Sequence, residues 1–270
     1  MKKAICCPVG NLFHLPNERS EVISQALYGW QVQVLEEEGL FSLAETEDGY
    51  QGWIETSLLQ AGEVGVGLRR AKIRHNAAHL YSTPHVNREK PLLTLPFEVE
   101  LPVVFEPAEE DGRWVQVQLL GQLGWIQRGH LWMNLSHIGL KDMLQLSLQF
   151  LGLPYTWGGR SSFGYDCSGF IQMLFKQMGI LLPRDASQQI RSPFCSPVDW
   201  QEIKAGDLLF FGMHPEAIKH VGLYLGEGQL IHASVKPIPL LQVSSIEEKS
   251  LMDRFAFRTA CRLPVHEKEQ

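Results

Sequence analysis

The residues of this 270-residue chain best placed to do chemistry are one cysteine and two histidines. Cys167 ends a glycine- and aromatic-rich stretch that begins at Tyr155. The apolar residues Phe170, Ile171, Leu174, Phe175 and Met178 follow it with helical spacing, up to a stop at Gly179. This pattern predicts a helix over 167–178 with Cys167 on its first turn. Unpaired backbone N–H groups and the positive end of the helix dipole there favour a thiolate, the form that serves covalent catalysis. Asp166, Ser168 and Gly169 are small or polar, as a loop-to-helix junction needs. Gly158, Gly159 and Gly164 let backbone come close to other groups.

A nucleophilic cysteine needs a base within hydrogen-bond reach. Of ten histidines, His220 and His232 stand out, because Lys219–Leu225 and Gln229–Ser234 flank Gly226-Glu227-Gly228 as the arms of a hairpin. With a three-residue loop, Gly222 faces His232 and His220 faces Ser234. The two imidazoles then lie on one face as diagonal neighbours, roughly 7–8 Å apart at the backbone. With a two-residue turn they fall on opposite faces, so their cooperation requires the odd loop or a bulge. His75 and His79 are four apart but lack the glutamate of a metallopeptidase helix. No Cys/His cluster has zinc spacing, and no phosphate-binding glycine motif is present, so neither metal nor cofactor is expected.

Three regions must position these groups. Through residue 62, short alternating segments such as Gln31–Leu35, Phe41–Ala44 and Tyr50–Ile54 read as strands. Ala61–Gly67 reads as a linker. A similar pattern recurs from 72 to 135, with Phe97–Leu101 and, after Asp111-Gly112, Trp114–Leu119. Gly49-Tyr50-Gln51-Gly52-Trp53-Ile54 matches Gly121-Gln122-Leu123-Gly124-Trp125-Ile126, so two copies of one small β-barrel are expected. A helix from about Asp142 to Phe150 then precedes the nucleophile helix. A tail of strands follows at Leu208–Phe211, His220–Leu225, Leu230–Val235 and Phe255–Arg262. Helices followed by antiparallel strands make an α+β domain.

Composition narrows the partners. Apolar content of 44% and a net charge of −6 describe an ordinary globular protein with no basic footprint for nucleic acid or anionic lipid. Met1-Lys2-Lys3-Ala4-Ile5-Cys6-Cys7-Pro8 is too short in apolar residues for a secretory leader, and no apolar run could span a membrane. Cys6, Cys7, Cys167, Cys195 and Cys261 are odd in number without paired spacing. They read as free thiols in a reducing compartment, the cytoplasm.

Pro154-Tyr155, Trp157-Gly158-Gly159 and Asp166-Cys167-Ser168-Gly169-Phe170 together resemble the nucleophile segment of the NlpC family, papain-like cysteine endopeptidases of bacterial cell-wall peptides. The resemblance covers roughly Asp142 to Pro264. The G-x-x-G-W-I segments resemble bacterial SH3-like domains. The expected architecture is thus a papain-like NlpC catalytic domain (137–270) of α+β class preceded by two small SH3-like β-barrels (1–66 and 67–136). The resemblance makes Cys167 the nucleophile, His220 the base and His232 its orienter. It implies that Tyr155 donates toward the developing oxyanion with the Cys167 N–H. It places Asp166, Ser168 and Arg184 among the substrate-binding residues, and it makes Asp185 the partner of a free L-Ala amine. Ala186 stands where the family often has Ser, which removes one hydrogen bond to substrate. Tyr50, and more weakly Glu21, match residues of the first barrel that help bind the amino terminus; the second copy has Gln122 instead.

The implied reaction is hydrolysis of the bond between γ-D-Glu and a diamino acid in murein stem peptides with a free N-terminal L-Ala, by a cytoplasmic monomer. Two alternatives share the sequence. One is a papain-like amidase or acyltransferase on another amide or ester. The other is a non-enzymatic wall-binding protein, against which the intact Cys167, His220 and His232 speak.

Overall fold

The computed structural model describes residues 1–62, 65–107 and 112–264, so Glu63 and Val64 of the expected linker, and Asp111 of the expected turn, lie outside the described residues. The chain divides into two compact units, Met1–Ser136 with Ser161–Phe163, and His137–Arg160 with Gly164 onward.

In the first unit, strands β1 (Lys2–Ile5), β2 (Val9–Phe13), β3 (Val22–Leu27), β4 (Gln31–Glu38), β5 (Phe41–Glu45), β6 (Gln51–Glu55) and β7 (Leu59–Gln60) form one sheet in the order β3-β2-β6-β5-β4-β1-β7. Strands β8 (Arg70–Ile73), β9 (Ala77–Tyr81), β10 (Leu93–Pro96), β11 (Glu100–Phe105), β12 (Trp114–Leu119), β13 (Gln122–Gln127) and β14 (Leu131–Trp132) form another in the order β10-β9-β13-β12-β11-β8-β14. The second order is the first with every number raised by seven, so the repeated motif extends to topology. The motif glycine is small for the same reason in both copies. A Cβ on Gly52 would stand 2.8 Å from Leu12 Cβ, and one on Gly124 2.8 Å from Leu119 Cδ1. Ile54 and Ile126 are fully buried, whereas Trp53 and Trp125 are only half-buried. The two sheets also share a core. Leu27 and Tyr28 pack with Ala71, Leu80, Val115 and Ile126, and the Tyr28 hydroxyl accepts the Leu120 N–H at 2.7 Å.

The second unit carries helices α1 (Leu140–Leu148), α2 (Cys167–Gln177) and α3 (Ala186–Gln189), then a six-stranded antiparallel sheet. Two-residue strands β15 (Arg160–Ser161) and β16 (Gly164–Tyr165) precede α2. The sheet strands are β17 (Ser196–Val198), β18 (Leu208–Gly212), β19 (Ile218–Gly226), β20 (Gln229–Ser234), β21 (Leu240–Ser245) and β22 (Phe257–Arg262), in the order β17-β22-β18-β19-β20-β21, with the short helix α4 (Lys249–Met252) before β22. Phe170, Ile171, Met173, Leu174 and Phe175 of α2 are fully buried, and the helix packs on α1, β19 and β20. Among the described residues no helix is long and apolar enough to cross a membrane.

One expectation is overturned. Cys195 and Cys261 are not free thiols but a disulfide, with Cα atoms 5.5 Å apart. Pairing of β17 with β22, which sets Pro197 opposite Cys261, brings together cysteines that are 66 residues apart in sequence. Cys6, Cys7 and Cys167 are free.

Candidate active site

The expected nucleophile, Cys167, is fixed by its helix start. Asp166 is the N-cap of α2 and accepts the Gly169 N–H at 2.7 Å, which sets Cys167 as the first helical residue. Gly169 has no room for a side chain, since a Cβ there would stand 2.3 Å from the Gly159 carbonyl oxygen. That carbonyl also accepts the Asp166 N–H at 3.1 Å, so the glycine-rich loop and the helix start lock together. The Cys167 sulfur receives backbone N–H groups of Val221 and Ser168, which seats it against β19 at the residue that follows His220.

The thiolate expected from the helix start does not follow. Burial comes first, then the Asp166 carboxylate, and together they push the Cys167 thiol up to about 12 against the opposing N–H donors and Arg184. His220 moves the other way. Burial, followed by His232 and Arg254, holds its imidazole well below the usual range. Both shifts favour the uncharged forms, thiol and neutral imidazole.

The hairpin brings the histidines together by a bulge. Gly226 pairs with Gln229 across a two-residue turn in which Glu227 and Gly228 have φ of 52° and 71°. The register then shifts between Tyr224 and Gly226, so that Tyr224 faces Leu230 and Leu223 faces Ile231. This one-residue slip puts both imidazoles on the same face. His220 Nε2 and His232 Nδ1 are 2.7 Å apart. Phe255 stacks on the His220 ring at 5.8 Å and 6°, closing its other side. His232 Nε2 lies 3.1 Å from Ser244 Oγ, and burial drops the His232 pKa to about 4 despite the nearby Glu248.

Gly222 leaves the space His232 occupies. A Cβ there would stand 2.6 Å from Leu230 Cδ1 and 3.2 Å from His232 Cβ. Gly222→Ala is expected to displace His232 and to lower kcat by at least about tenfold, because small misplacements at a catalytic centre are costly. Steady-state kinetics beside a thermal melt check this; an unchanged kcat in the folded variant would mean that His232 tolerates the shift.

The other expected site residues divide between the units. Arg184 is a buried partner of Asp166: its Nη1 donates to Asp166 Oδ1 at 3.0 Å and to Ser168 Oγ at 2.9 Å, and its Nη2 donates to Asp166 Oδ2. These three residues brace the start of α2 on either side of Cys167. Asp185 is the N-cap residue of α3, and its carbonyl accepts the Gln188 and Gln189 N–H groups. Tyr155 is held by its N–H to the Pro239 carbonyl at 2.9 Å; burial, then Cys167 and Asp166, raise its hydroxyl pKa, so it stays a donor. Tyr50 precedes β6 and Glu21 precedes β3, both in the first unit. Ser244, Glu248 and Phe255 escape the sequence reading, because no motif marks them.

Residues 152–258 match the model of the NlpC/P60 family, and residues 12–59 match that of the bacterial dipeptidyl-peptidase Sh3 domain. The γ-D-glutamyl-L-lysine dipeptidyl-peptidase of Bacillus subtilis (strain 168) is 35% identical over 241 residues, spanning 84% of this chain and 78% of that protein. Its namesake in Bacillus cereus (strain ATCC 10987) is 31% identical over 250 residues, spanning 83% and 72%. A crystal structure of an NlpC/P60 family protein from Bacillus cereus matches with a TM-score of 0.82 at 23% identity, over 97% of this chain and 99% of that one, and so has the same fold.

Proposed function

Because the chain belongs to the NlpC/P60 family and is by that membership a cysteine peptidase, we propose that it hydrolyses the γ-D-glutamyl–diamino acid bond of murein peptides that carry a free N-terminal L-Ala. The observation that carries the reading is His220 held against His232, with the sulfur of the helix-start Cys167 on the N–H of the next residue, Val221. Cys167 Sγ attacks the γ-carbonyl carbon while His220 takes the thiol proton. The Cys167 N–H and the Tyr155 hydroxyl receive the oxyanion. His220 then returns its proton to the departing amine of the diamino acid, leaving a γ-glutamyl thioester. Water activated by the same imidazole hydrolyses the thioester and restores the thiol.

The amino end of the substrate sets the test. The Asp185 carboxylate is suited to an ammonium, and such a charge-assisted bond exceeds a neutral one. Losing such a bond to a charged group costs roughly 1.5–3 kcal/mol, and about 1.4 kcal/mol is tenfold in rate. Acetylating the L-Ala amine should therefore lower kcat/KM by at least about tenfold. Asp185→Ala should remove most of that discrimination. Equal turnover of free and acetylated tripeptide would sink the assignment. The contribution of Tyr50 and Glu21 rests on the family resemblance alone, and Tyr50→Phe tests it by the same comparison. A monomer acting in the cytoplasm completes the proposal. The Cys195–Cys261 bond counts against that location, and cell fractionation tests it.

A further inference from the structure

The two histidines do not end the hydrogen-bonded series. His232 Nε2 meets Ser244 Oγ at 3.1 Å, and Ser244 is buried on β21. The Ser244 side chain is in turn hydrogen-bonded to the Glu248 carboxylate, which also accepts the Ser250 hydroxyl at 2.7 Å. Glu248 is held in place from both sides. Its N–H donates to the Ser245 carbonyl at 3.0 Å, and its own carbonyl accepts the Leu251 and Met252 N–H groups at the start of α4.

An ionised carboxylate can only accept hydrogen bonds. Ser244 must therefore give its proton to Glu248, which leaves its oxygen to accept from His232. His232 must then carry its proton on Nε2 and present a bare Nδ1, which accepts the Nε2–H of His220. The proton of neutral His220 is thereby fixed on Nε2, and the lone pair stands on Nδ1, the nitrogen turned away from His232. A free imidazole pair could run in either direction; a carboxylate at one end removes the choice. We propose that Ser244 and Glu248 are positioning residues that set the tautomers of His232 and His220 and so keep the base ready to receive a proton. The inference rests on the assignment of Cys167 and His220 as nucleophile and base. The charged and titratable groups that face His232 are His220, Glu248 and Arg254, and of these Glu248 is the acceptor.

The test is a long-range 1H–15N correlation spectrum of the full chain labelled with 15N-histidine, with His232 signals assigned by their loss in His232→Asn. In the wild type His232 should be the Nε2–H tautomer. Ser244→Ala should give a mixture of tautomers and lower kcat by about tenfold to a hundredfold, the range typical of supporting hydrogen bonds, with KM within about twofold. Ser244→Thr, which keeps the hydroxyl, should recover most of the loss, and Glu248→Ala should act in the same direction as Ser244→Ala. An Nδ1–H tautomer of His232 in the wild type would overturn the proposal without any variant having to fold. So would Ser244→Ala with unchanged tautomer and unchanged kcat. Retained turnover in Cys167→Ala would instead overturn the catalytic assignment, a different failure that leaves the tautomer result readable.

Discussion

Cys167→Ala and His220→Ala should each lower kcat/KM by at least about a thousandfold, and the double variant should lose little more, since nucleophile and base act as one unit. Circular dichroism should show both variants folded, because neither change removes a buried ion pair or a cap. Replacing Cys6 or Cys7, the other free thiols, should spare activity. The acid limb of the pH profile follows from His220. Its imidazole is held well below its usual range by burial, and protonation abolishes the base. The rate should thus fall only as pH drops through that depressed value, below about 6.5, the ordinary histidine value. Because the thiol sits up near 12, the profile should lack the low-pH plateau of a preformed thiolate. An acid limb centred above neutral pH would contradict a neutral imidazole base.

The second large effect concerns stability. Arg184 and Asp166 form a two-pronged pair at which Arg184 is 1% exposed. Arg184→Met would leave a carboxylate buried without its cation, at the N-cap of the helix that begins with Cys167. Breaking a buried pair in this way costs about 3–5 kcal/mol. Urea unfolding should register a loss of that order. Pairing the change with Asp166→Asn, which keeps an N-cap oxygen for Gly169, should restore most of it. A loss under about 1 kcal/mol would be that of a surface pair and would contradict the buried bracing described above.

The sequence carried the nucleophile helix and the histidine hairpin, because both are local. Phe170 to Met178 shows its period within nine residues, and Asp166 caps where a small polar residue should. The hairpin was legible down to its condition, a slip of one residue, and the structure meets it by a bulge at Leu225 with a two-residue turn rather than by a longer loop. What lay hidden is non-local. Strand β21 buries Leu241 and Ser244, three apart, so it breaks the alternation by which a strand is recognised. Ser244 consequently gave no sign that it meets His232. Arg184 could pass for a solvated turn residue until its partner eighteen residues earlier was placed beside it. The disulfide depends on β17 pairing with β22, a contact that no short pattern announces. The helix-start argument for a thiolate is outweighed by burial of the sulfur and then by the adjacent Asp166 carboxylate, and burial is set by the folded chain rather than by the helix alone.

The central claim is tested most directly by mass spectrometry of the products from L-Ala-γ-D-Glu-L-Lys and its diaminopimelate counterpart, with wild type beside Cys167→Ala. The account predicts L-Ala-γ-D-Glu and the free diamino acid from the wild type, and intact peptide from the variant. Intact peptides with the wild type, or the same products from Cys167→Ala, would contradict it.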